Sequence, residues 1–199
     1  MIEIPSLEQH NNLLVLKKIK TGNILISEPF LDDPNFKRSV VLIADHTPKE
    51  GTVGFVLNRK LEIRISDLIE DLQGFNADVF EGGPVGADTL HFIHSVGDVI
   101  TDAVKICNGV YWGGSLDDLF FLIKSKFLKE DEVRFFLGYS GWDQGQLIEE
   151  FKQNTWIQSE MDPNFIFNPT IQDLWKLTLD LKGGHYSALA EIQLDVISN

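Results

Sequence analysis

Residues 138–150, reading GYSGWDQGQLIEE, constrain the fold more than any other stretch. Gly138, Gly141 and Gly145 fall within eight positions, a density that marks unusual backbone torsions or close approaches. The run 132–138 before them, EVRFFLG, reads as a strand. After them, Leu147 and Phe151 stand at i and i+4 with Ile148 beside them, which is one face of a helix. The block is therefore a strand end, a tight turn and a helix start. Asp143 is placed to cap that helix by accepting the N–H of Gln146, whose side chain reaches back. Trp142 is placed to cover the helix start. A helix N-terminus attracts anions, but Asp143 fills that position with its own charge, so the structural reading is favoured.

The rest of the chain alternates short apolar runs with turn residues, and nothing repeats at a fixed period. Ile24-Leu25-Ile26 reads as a strand that stops before Pro29. Residues 39–44 form a continuous β-branched apolar run, the mark of a buried strand, and a polar turn at 47–51 joins them to 52–57 as a hairpin. Ser66 caps a short helix carrying Leu68, Ile69 and Leu72. Residues 78–81 and 89–94 read as strands flanking Gly82-Gly83-Pro84-Val85, with further strands at 99–106, 110–112 and 156–157. Ser115, with Asp118 three residues later, resembles a capping box opening a helix over 116–127. That helix is apolar nearly all round, which places it inside or between layers. Asn168 as N-cap and Pro169 at the first helical position open a helix over 169–181, which Gly183-Gly184 ends.

Strands in hairpins, interrupted by helices of differing length, specify an α+β fold more than a βαβ alternation. Residues 1–20 read as an N-terminal extension with a weak helical pattern, residues 21–185 as a single α+β domain. Residues 186–199 read as a tail, either an edge strand or unstructured.

Charge narrows the partners. The chain carries 17 basic and 30 acidic residues, a net charge of −13. Such a field repels phosphate backbones, so direct nucleic-acid binding is not expected, and the basic run Lys17-Lys18-Ile19-Lys20 is too short to reverse that. The single cysteine, Cys107, rules out an intrachain disulfide and suits a reducing compartment. No signal-peptide pattern opens the chain and no apolar run is long enough for a bilayer span. A soluble, cytoplasmic protein with no membrane contact is the expectation.

Tests for chemistry mostly fail. Gly82-Gly83-Pro84 lacks the Lys and Ser or Thr of a phosphate-binding loop, and no G-x-G-x-x-G follows a strand. His91 and His94, an odd separation apart on a strand, face opposite sides, so no metal site or cofactor is expected. Ser140 approaches a nucleophile elbow, but Trp142 stands where a glycine is required. No catalytic set emerges. What remains is a rim: His46 ends one strand of the hairpin and Asn58 ends the other. Together with Gly82, Gly83 and Pro84 they are the candidate ligand-binding residues, against the plainer reading that they satisfy loop backbone groups.

In order along the chain stand Gly22-x-Ile24-Leu25-Ile26-Ser27-x-Pro29, Asp33-x-x-Phe36-x-Arg38-Ser39-Val40-Val41, His46, Gly51-x-x-Gly54-Phe55-Val56-Leu57-Asn58 and Gly82-Gly83-Pro84-Val85. The last block is Gly138-Tyr139-Ser140-Gly141-Trp142-x-x-Gly145-Gln146-Leu147-x-x-Glu150. Taken together these blocks resemble the AlgH/YqgE family of bacterial proteins from about Gly22 to Trp175. The resemblance implies a mixed, largely antiparallel, bifurcated sheet curled into a partial barrel with flanking helices. Gly141, Trp142, Asp143, Gly145 and Gln146 are then its structural signature. Family members are often labelled transcriptional regulators, a label the acidic charge does not support as direct DNA contact. The leading expectation is a non-enzymatic cytosolic protein acting through a protein partner or small ligand. The alternative is an enzyme or small-molecule-binding protein using a cleft near His46, Asn58 and residues 82–85.

Overall fold

The computed structural model describes residues 19–160, 162–168 and 173–191. The β-branched run read as a buried strand is β2 (Val40–Thr47), whose first five residues are all buried. Val40 and Leu42 face one hydrophobic cluster, Val41 and Ile43 another, as strand alternation requires. The strand lies between two layers, which explains its lack of polar alternation. β1 (Asn23–Ser27) pairs with it antiparallel on one side, and β3 (Gly51–Val56) closes the expected hairpin on the other, with Thr47 opposite Gly51.

The sheet is organised around β9 (Val133–Trp142). Along one side runs β6 (Val85–His94), antiparallel. Along the other, β9 pairs with two strands in succession. Phe135–Leu137 pair in parallel with β5 (Asp78–Glu81), and Ser140–Trp142 pair antiparallel with β3. The fork lies at Gly82, whose N–H donates to the Leu137 carbonyl at 2.8 Å and whose carbonyl accepts from Val56 at 2.9 Å. Gly82 and Gly83 then cross over β9 to reach β6, so β5 and β6 are not partners across a simple turn. A side chain at Gly82 has no room: its Cβ would lie 2.1 Å from the Gly138 carbonyl oxygen.

Outside this fork, β4 (Lys60–Arg64) extends β5, while β8 (Val110–Trp112) and β7 (Val104–Cys107) extend β6. β10 (Trp156–Glu160) lies beyond β1 at the far edge. The sheet curls until Gly22, ahead of β1, meets Cys107 at the end of β7, where a Cβ on Gly22 would lie 2.8 Å from that of Cys107. β1 and β7 do not pair, so the barrel stays open. This is the mixed, largely antiparallel α+β sheet expected.

Helices cover it. α1 (Ile65–Leu68) starts after Arg64, whose N–H is capped at 2.8 Å by the Asp67 carboxylate, so Ser66 is inside the helix and not its cap. α2 (Leu116–Lys124) begins at Ser115, whose hydroxyl accepts the Asp118 N–H at 3.2 Å. The return half of the expected box is absent. Asp118 instead accepts the Thr101 N–H at 2.9 Å, and that bonding holds its carboxyl below the usual carboxylate range. α2 buries Leu119, Leu122 and Ile123 but leaves Phe121 65% exposed, so it covers a surface and is not sandwiched between layers.

α3 (Gln146–Lys152) follows the tryptophan turn. Its N-cap is Gly145 in the left-handed region at φ 81°, not Asp143. Asp143 contributes its backbone instead: its carbonyl accepts the Gln146 N–H at 3.0 Å, and its N–H donates to the Gln146 side-chain oxygen at 3.0 Å. α4 (Pro163–Phe167) is followed by α5 (Leu174–Lys182), which Asp173 caps by accepting the Lys176 N–H at 2.9 Å. Asp173 takes the role expected of Asn168, while Pro169, Ile171 and most of residues 1–20 lie outside the described residues. α6 (His185–Ala190) is helical where an edge strand or unstructured tail was expected, because Ala190 joins the cluster holding Trp175 and Leu179. Residues 192–199 lie outside the described residues. Among the described residues no helix is long and apolar enough to cross a membrane.

Candidate functional site

Antiparallel pairing decides the fate of the expected rim. His46 lies opposite Thr52 near the turn of the hairpin, whereas Asn58 follows β3 at the opposite end, beside Val40. Six residue steps of extended chain separate Thr52 from Asn58, about 20 Å, so the expected convergence of His46 and Asn58 does not occur. His46 Nδ1 bonds to the Thr52 hydroxyl at 2.8 Å, beside a crevice of about 10 Å³ that holds one water at most. Gly82 and Gly83 are occupied in crossing β9, where the Ser140 hydroxyl donates to the Gly82 carbonyl at 3.0 Å. His91 packs against Phe55, Tyr139 and Trp112, while His94 stacks on Tyr111 with Nε2 3.1 Å from the Gly113 carbonyl. Among the described residues no three His, Cys, Asp or Glu side chains gather as metal ligands.

Asn58 does reach a cavity. Its side-chain oxygen accepts the Val40 N–H at 2.9 Å and its nitrogen donates to the Arg38 carbonyl at 2.8 Å. These bonds fix Arg38 at φ 53°, a region non-glycine residues rarely occupy. Beside Asn58 opens a cavity of about 490 Å³, in the size range of ligand pockets. Leu57, Phe80, Phe165, Phe167 and Leu174 are the apolar side chains among those that line it. A second cavity of about 690 Å³ adjoins it, sharing Asp131, Phe167 and Asn168.

Arg134 enters this cavity from β9. Its neighbours Val133 and Phe135 are buried on the opposite face, so alternation turns Arg134 toward Phe80. The guanidinium carbon lies 4.3 Å from the Phe80 ring centroid, and Nη1 donates to the Leu57 carbonyl at 2.9 Å. Burial pushes the guanidinium down to about 10, so it remains cationic at pH 7. No carboxylate pairs with it among the described residues. The other two cations on the lining, Lys60 and Arg64, both pair with Asp78. A half-buried, charged fork with one carbonyl acceptor and an aromatic support is equipped to receive an anion.

Arg134 belongs to no sequence motif. The sequence carries one signal: a single charge at the second position of β9, on the face opposite Val133 and Phe135.

The sequence profile of one known family, described as AlgH-like, matches residues 24–187. The chain belongs to the AlgH-like family. Its relatives in this family include a UPF0301 protein of Chlorobium limicola, 39% identical over 173 residues, which span 87% of this chain and 92% of that one. A UPF0301 protein of Bacteroides thetaiotaomicron is 40% identical over 179 residues, 89% of this chain and 88% of the relative. The solution structure of AlgH from Pseudomonas aeruginosa superimposes with a TM-score of 0.68 at 25% identity, covering 87% and 94%. A crystal structure from Corynebacterium diphtheriae shares the fold, with a TM-score of 0.74 at 18% identity over 87% and 93%.

In this AlgH-like chain the glycine-tryptophan block carries architecture. Glu150 accepts the indole N–H groups of Trp142 and Trp156 and the side-chain N–H of Gln146 at 2.8, 2.6 and 3.0 Å. That network ties β9, α3 and β10 together.

Proposed function

We propose that this AlgH-like protein binds a small anionic ligand in the cavity beside Asn58, with Arg134 as the countercharge. The observation that carries the reading is the Arg134 guanidinium, half-buried at the wall of a 490 Å³ space and without a carboxylate partner among the described residues. A buried cation without a partner carries a desolvation cost that an incoming anion offsets. The reading is one of binding, and it moves the ligand site from the His46 end of the hairpin to the Asn58 end. Thermal denaturation with acetate, benzoate, phosphate and sulfate tests it. At least one anion raises the melting temperature of the wild type, and Arg134→Met abolishes that rise. If no anion shifts the wild type, the reading is wrong.

A second reading, a protein partner, draws on the exposed side chains Phe121 and Phe127, 65% and 73% accessible on and just beyond α2. The net charge of −13 favours a partner other than duplex DNA. Cross-linking in cell extract with and without Phe121→Ser tests it: a partner lost in the variant supports it, and an unchanged pattern removes it.

A further inference from the structure

Resting on that reading of the Arg134 cavity, we infer that its ligand is an amphipathic monocarboxylate: one carboxylate on an aromatic or branched apolar body. The charge on the lining sets the limit. Lys60 and Arg64 are both committed to Asp78, which leaves Arg134 as the cation without an ion pair among the described lining residues. Glu130 and Asp131 also line the cavity, and neither forms an ion pair among the described residues. The lining carries three cations, Lys60, Arg64 and Arg134, and three carboxylates, Asp78, Glu130 and Asp131, so a bound monocarboxylate leaves a single excess negative charge where a doubly charged phosphate or a polyphosphate leaves two or more. The glycine pair Gly82-Gly83 is not part of the lining, so its backbone N–H groups do not cradle a phosphate there.

Geometry selects the head group. The Arg134 guanidinium lies over the Phe80 ring, so its plane is supported from one side. Nη1 is bonded to the Leu57 carbonyl, leaving N–H groups at the edge for two parallel bonds to a planar carboxylate. The walls select the body. Phe165 and Phe167, half-buried on the lining, offer apolar surface that a bare acetate or inorganic anion leaves uncovered, against a floor of the buried Leu57, Phe80 and Leu174. A ligand with an apolar body gains binding free energy in proportion to the area of that surface it shields.

Calorimetric titration of the full chain with phenylacetate, hexanoate, acetate, inorganic phosphate and pyrophosphate tests the class. Phenylacetate and hexanoate are expected to bind at least tenfold more tightly than acetate or either phosphate. Arg134→Met should weaken phenylacetate at least tenfold. Phe167→Ser leaves the arginine in place and should bring phenylacetate within about threefold of acetate. That loss of selectivity remains a test if Arg134→Met fails to fold. Phosphate or pyrophosphate binding more tightly than phenylacetate, in an Arg134-dependent way, overturns the monocarboxylate and keeps the anion site. Equal binding of acetate and phenylacetate by the wild type also overturns it. Absence of any Arg134-dependent binding overturns both.

Discussion

Trp142 donates its indole N–H to Glu150 at 2.8 Å, and the same carboxylate oxygen accepts the Trp156 indole at 2.6 Å. Both rings are buried and packed edge to face, 5.9 Å apart. Removing the acceptor strands two buried donors. Glu150→Ala is expected to cost about 3 kcal/mol in urea denaturation, and Glu150→Gln, which keeps one oxygen, about half of that. A loss below 0.5 kcal/mol in the alanine variant would show that the clamp contributes nothing.

Two glycines of the signature blocks should respond unequally to alanine. At Gly82 the new Cβ meets the Gly138 backbone at the fork, so relief requires two strands to part. Gly82→Ala is expected to lose about 3 kcal/mol or more. At Gly145 nothing lies within 4 Å, and the cost is only that of φ 81° for a residue with a Cβ, about 1 kcal/mol. Equal losses in the two variants would contradict the crossing described at Gly82.

Three histidines make the fold sensitive to mild acid. Burial holds the imidazoles of His46, His91 and His94 below their ordinary 6.5. The unfolded chain therefore takes up protons first as pH falls below about 6.5. The stability these neutral rings contribute is fully present above that value and is lost as pH falls through their folded values. The urea midpoint should be lower at pH 5.5 than at pH 7.5, above the range in which Asp118 titrates. His91→Phe, which suits a pocket of Phe55, Trp112 and Tyr139, should make the difference smaller.

The exposed face of α2 predicts a surface effect. Phe121→Ser should leave stability within about 0.5 kcal/mol, since the ring is 65% exposed. Binding of a hydrophobic dye to the native protein should fall. An unfolding-scale loss would mean that the ring packs on something.

Legibility followed the physics of each segment. β1 and β2 are legible because burial on both faces leaves an uninterrupted apolar run, and β3 because a polar turn at 47–51 sets its pairing with β2. The start of α3 differs from its sequence pattern because Asp143 has the side chain of a cap, while a glycine in the left-handed region does the capping. The rim at His46 failed on direction: strand ends that follow one another in sequence sit at opposite ends of a hairpin. Arg134 was invisible for a different reason. Its meaning depends on Phe80 and Leu57, 54 and 77 positions earlier, and no local pattern reports such a meeting.

The placement of β9 has a consequence for synthesis. β3, β5 and β6 all hydrogen-bond to it, yet it emerges last of the four, ending at residue 142 of 199. A ribosome adding about 5–20 residues per second therefore exposes three strand edges for several seconds before their common partner arrives. A chain truncated before residue 133 has no means of closing them, and its fate in the cell is aggregation or degradation rather than a smaller folded protein.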